Sequence, residues 1–115
     1  MLRLTPDLLA ASYALLRLTM PFSRWGLPPP EKIEFRIRRD HAKIGKHLYR
    51  DGAHLITVSS ACVGHLPTLV RAMAHEMVHA YQAERGTNGR AVHNAEFRLL
   101  ASRVCRWHGF DPAEF

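Results

Sequence analysis

At Pro67 the spacing of apolar residues changes from two to about 3.6, and no single kind of secondary structure can accommodate both periods. Before it, Lys32-Ile33-Glu34-Phe35-Arg36-Ile37-Arg38 alternates polar and apolar side chains without a fault, the pattern of a strand with one buried and one wet face. Around and after it, Leu66, Leu69, Val70, Met73, Met77, Ala80 and Tyr81 fall on one side of a helix. A chain that places strands first and helices after them belongs to the α+β class.

The remaining elements follow from turn and cap signals. Thr5-Pro6-Asp7 supplies a hydroxyl cap, a proline at the first helical position and an acidic first turn, predicting an N-terminal helix from Pro6 to about Thr19. PFSRWGLPPP (21–30) can be neither helix nor strand, and Phe22, Trp25 and Leu27 are apolar enough to pin it to a core. Strands are expected at Lys43 to Tyr49 and His54 to Val58, joined at Asp51-Gly52, so that three successive strands form an antiparallel meander. Gly86-Thr87-Asn88-Gly89 ends the long helix. A last helix is expected from Val92 to Trp107, folded back across the first through the loop Arg85 to Arg90.

A length of 115 residues and a hydrophobic fraction of 47% suit one domain, 1–115, with a single core. Cys62 and Cys105 form no C-x-x-C pair and read as reduced residues of a reducing, cytoplasmic compartment. The leucine-rich start is interrupted by Asp7 and Arg17, which opposes a signal peptide. The longest uncharged stretch, Gly52 to Val70, lacks the apolar continuity of a membrane span.

Within the long helix stands His75-Glu76-Met77-Val78-His79. Chance alone places His-Glu-x-x-His in roughly 3% of shuffles of this composition, so the motif needs support from its surroundings. The helical pattern supplies it, because it is set by other residues. His75 and His79 lie nearly opposite the Met73 row, beside Thr68 and Ala72, one turn apart on one face. Two imidazoles so placed can share a zinc ion at about 2.0–2.1 Å each. Glu76 beside them suits a general base that takes a proton from water and returns it to a leaving amine.

Catalytic zinc takes three protein ligands and keeps one position open. Gln82 and Arg85 stand where a metzincin would place glycine and histidine, which excludes that continuation. Spacing leaves two candidates for the third ligand, His93 and Glu96. His41, His47, His54, His65 and His108 lack paired spacing and read as surface or hydrogen-bonded residues.

Ile56-Thr57-Val58-Ser59, Leu66 to Val70, Ala74-His75-Glu76-Met77-Val78-His79-Ala80 and His93-x-x-Glu96-Phe97 resemble the SprT-like (Spartan-type) metallopeptidase domain. The likeness extends more weakly from Phe22-x-x-Trp25-Gly26-Leu27 to Gly109. It implies a zincin-like fold, a zinc-dependent endopeptidase, and His93 as third ligand, with Asn94 where the family usually has glycine. It also implies an association with DNA and with proteins crosslinked to it. Many members carry a zinc ribbon after the catalytic domain; no cysteines for one follow here.

The charge of 16 Lys+Arg against 10 Asp+Glu, a net +6, agrees with a polyanionic partner. Arg36, Arg38, Arg39, Lys43 and Lys46 concentrate it in the strand region, and Trp25 or Tyr49 is placed to stack on bases. The expectation is a monomeric zinc endopeptidase that acts on protein substrates near DNA, without membrane contact. The alternative is a non-catalytic basic DNA-binding module with a structural zinc site.

Overall fold

In the computed structural model, which describes residues 1–89 and 91–115, the N-terminal helix α1 (Pro6–Arg17) begins where Thr5 Oγ1 accepts the Leu8 N–H at 3.0 Å. Leu9, Tyr13 and Leu16 turn into the core. The proline-rich segment returns along this helix, held where the Tyr13 hydroxyl donates to the Pro28 carbonyl (2.6 Å) and Arg17 Nε to that of Leu27 (2.9 Å). It contains two short 3-10 turns, at Phe22–Arg24 and Pro30–Lys32.

Three strands follow, β1 (Ile33–Arg38), β2 (Gly45–Arg50) and β3 (Ala53–Ser59). Their existence and the turn at Asp51-Gly52, both with positive φ, agree with the sequence. Their arrangement does not. The sheet order is β1-β3-β2, with β1 parallel to β3 and β2 antiparallel to it, so the sheet is mixed and the expected antiparallel meander is wrong.

The reason is visible in the connection from Arg39 to Ile44. Asp40 Oδ1 accepts the Ala42 N–H (2.8 Å), and the Ser59 hydroxyl donates to the Asp40 carbonyl (2.5 Å). This loop passes over the end of β3 and delivers β2 to its far side. The most buried strand, β3, then takes the centre, while β1 and β2, with Arg36, Arg38, Lys46 and Arg50, take the edges where charge is tolerated.

Helix α2 (Leu66–Arg85) packs against α1, β2, β3 and the last helix, α3 (Ala95–His108). Leu69, Met73, Met77 and Ala80 are buried as the period requires, whereas Leu66 is exposed. Gly86 ends α2 in the left-handed conformation, at φ 70°. Arg90, at the end of the expected connecting loop, lies outside the described residues. Helix α3 starts three residues later than its pattern suggested, because the Asn94 side chain accepts the Phe97 N–H (2.9 Å) and leaves Val92 exposed. Phe97, Leu100 and Val104 close the core.

Candidate functional site

Residue parity on the strands builds one wall of a cleft. The register places Gly45 opposite Val58, His47 opposite Ile56 and Tyr49 opposite His54, so these six share the sheet face that meets α2. Helix α2 supplies the facing wall with His75, Glu76 and His79. Lys43, Lys46, Asn88, Gly89, Val92 and His93 complete an open cleft of about 450 Å³.

His75, His79 and His93 each put a ring nitrogen within 4.8 Å of the other two. His75 Nδ1 lies 2.6 Å from the Phe115 carbonyl oxygen. A carbonyl only accepts, so Nδ1 carries the proton and Nε2 keeps its lone pair. That Nε2 is 3.2 Å from Nε2 of His93. Two nitrogens bound at ~2.0–2.1 Å in a tetrahedral site lie ~3.3–3.4 Å apart, so the spacing and the donor type fit a zinc ion.

The Phe97 ring stacks on His79 and on His93, with centroids 4.5 Å away in both cases, and lies 5.1 Å from His75. One aromatic side chain of α3 therefore braces all three imidazoles. The segment Asp111 to Phe115 braces His75 from another side: the Phe115 ring lies 5.2 Å from it, and Arg71 Nη1 holds Glu114 at 3.0 Å.

Burial sets the charge states. It pushes His75 and His79 down to about 4, so both are neutral at pH 7, the form that binds metal. It pushes Glu76, only 5% exposed, up to about 8. A cation in the cleft would reverse that preference and favour the carboxylate.

Of the two candidates for a third donor, His93 joins the cluster and Glu96 does not. Glu96 Oε1 accepts from Thr87 Oγ1 (2.5 Å) and Gln82 Nε2 (3.0 Å), and these bonds hold its carboxyl below the usual range. It ties the end of α2 to the start of α3. Asn94 accepts from Gln82 Nε2 (2.9 Å) and donates to the Thr87 carbonyl (3.0 Å). Its backbone is extended, at φ −72° and ψ −179°, a conformation open to any residue, so asparagine fits where glycine was expected.

Two expectations about base stacking fare differently. Trp25 is stacked on Tyr81 (centroids 4.4 Å), which makes it a packing residue; Tyr49 is 40% exposed and lies 4.6 Å from His54. On the outer face of the sheet, Arg36, Arg38, Lys43 and Lys46 line a shallow groove of about 150 Å³ with Asp40. Arg39 is exposed outside that lining.

Sequence reasoning did not anticipate the roles of His47, His54 and Glu84. His47 Nε2 meets His54 Nδ1 at 2.8 Å, and His54 Nε2 meets Glu84 Oε1 at 2.9 Å. The available signal was parity: Gly45, His47 and Tyr49 alternate on one face of β2.

An α+β scaffold with three imidazoles converging on its central helix defines a protein equipped to hold a metal ion. The family comparison gives the class a name: the SprT-like family model matches residues 15–114, and the chain belongs to the SprT-like family. A search of curated proteins finds no match. Among the described residues no helix is long and apolar enough to cross a membrane.

Proposed function

We propose that the chain is a zinc-dependent endopeptidase of zincin-like design, with His75, His79 and His93 as metal ligands and Glu76 as general base. The observation that carries this reading is the convergence of three imidazoles on one point of an open cleft, with a buried carboxyl between two of them in sequence. Zinc bound there would lower the pKa of water at its open position to about 7 and polarise the scissile carbonyl.

The chain's own residues do the rest. Glu76 takes a proton from the attacking water as its oxygen bonds to the carbonyl carbon, then delivers that proton to the amide nitrogen as the C–N bond breaks. The Phe115 carbonyl fixes the His75 tautomer, and Phe97 keeps the three rings in place. β2 is an edge strand that borders the cleft, so its free backbone groups suit an extended polypeptide.

DNA is the partner proposed for the outer groove, where Arg36 and Arg38, on the sheet face turned away from the cleft, gather positive charge with Lys43 and Lys46, which border both groove and cleft. A non-catalytic DNA-binding module with structural zinc is the competing reading. A structural site closes its coordination with a fourth protein donor; only three donors converge here among the described residues. The deciding test is metal analysis of the purified chain together with cleavage of unfolded protein by the wild type and by Glu76→Gln. Zinc with no cleavage by the wild type would favour the module.

A further inference from the structure

His47 stands on the inner face of β2 and lines the cleft beside Glu76 and His79. Its ring is nearly parallel to that of His79, at 9°, with centroids 6.5 Å apart. It is not one of the three converging donors. One of its two nitrogens is engaged, and the chemistry of the chain behind it determines how.

Glu84 Oε1, as a carboxylate oxygen, accepts, so the 2.9 Å contact makes His54 Nε2 the donor. In its neutral form His54 has one donor and one acceptor, which leaves Nδ1 as acceptor. The 2.8 Å contact to it then requires the proton of His47 on Nε2. His47 Nδ1 is left with a lone pair and, among the described residues, no hydrogen-bond partner. The His54 side chain that transmits this order is only 2% exposed, whereas that of Glu84 is 39% exposed, so water competes little for the middle of the chain.

We propose that His47 is a further substrate-contacting residue of the cleft: His54 and Glu84 hold it in the Nε2–H tautomer, so that Nδ1 accepts a backbone N–H of the bound polypeptide. His54 and Glu84 act as positioning residues. The bond to substrate is present before and during reaction, so its loss weakens binding and leaves the chemical step intact. The choice of substrate rests on the peptidase reading; the tautomer assignment does not.

The test uses casein as an unfolded substrate and the zinc-loaded chain. His47→Ala is expected to raise KM about tenfold, the effect of one lost hydrogen bond of ordinary strength, with kcat within about twofold and zinc content unchanged. Asparagine places its amide oxygen where Nδ1 stood, and glutamine reaches toward Nε2, so His47→Asn should restore most of the loss and His47→Gln should not. Nitrogen-15 NMR of the imidazoles in the metal-free wild type should find both His47 and His54 protonated on Nε2. An unchanged KM in His47→Ala, rescue by glutamine instead of asparagine, or a proton on His47 Nδ1 would overturn the proposal. A wild-type chain that cuts nothing sinks the peptidase reading; casein binding by Glu76→Gln, with and without His47→Ala, then decides this one, and equal affinity overturns it.

Discussion

A β-carbon built on Gly45 would lie 2.8 Å from Glu76 Oε2 and 3.2 Å from the Thr57 carbonyl oxygen. The edge strand therefore approaches the central helix closely enough that only glycine leaves room for the carboxyl. Gly45→Ala should displace Glu76 from the cleft. Overpacking of this kind costs about 1–3 kcal/mol, and cleavage should fall more than stability does, with zinc retained. Activity assays beside chemical denaturation check this; a fully active, fully stable variant would show that the carboxyl has other places to go.

Glu76→Gln should keep zinc and lose hydrolysis. It should also change how the metal-free chain responds to pH. Burial raises Glu76 to about 8 from an ordinary 4.5, so between those values the folded state holds a proton that the unfolded chain has released. Stability is full below the unfolded value and falls as pH rises. Glutamine removes this loss, so its advantage should grow from near zero at pH 4 to on the order of 4 kcal/mol at pH 8. Denaturation curves of both proteins across this range measure it, and a pH-independent difference contradicts it.

His93→Ala should abolish stoichiometric zinc binding, because it removes one of three donors. Glu96→Ala should bind zinc as the wild type does and lose about 1–2 kcal/mol of stability, since Thr87 and Gln82 lose an acceptor. Metal analysis and thermal melting separate the two; zinc loss in Glu96→Ala alone would reassign the third ligand.

Removing residues 111–115 takes away the carbonyl that accepts from His75 Nδ1 at 2.6 Å. Without such an outer partner a metal site weakens by roughly 10–100-fold. Competition with a chelator of known affinity reads the change, and an undiminished affinity would mean that Phe97 alone orients the ring.

Replacing both Arg38 and Lys46 by glutamine should weaken binding to duplex DNA while leaving the zinc content intact. The slope of log affinity against log salt should become shallower by about 0.9 for each phosphate that is no longer neutralised. An unchanged slope would place any nucleic-acid binding elsewhere on the surface.

The sequence alone determined the elements and two of the three imidazoles. Alternation at 32–38 and the helical row through Met73 are local patterns, and His75 and His79 sit one turn apart wherever their helix goes. It did not determine that β3 lies in the middle: period two says which face of a strand is buried, but not which strand stands beside it. Only the tertiary structure decided that, through the Arg39 to Ile44 loop and its bond to Ser59. The same holds for the approach of His93 to His75 and His79, which the family resemblance implied but spacing did not, for Gly45 against Glu76, and for the Glu84, His54 and His47 chain. Each joins residues from different elements, and their separation in space depends on how those elements pack, which spacing along one chain does not record.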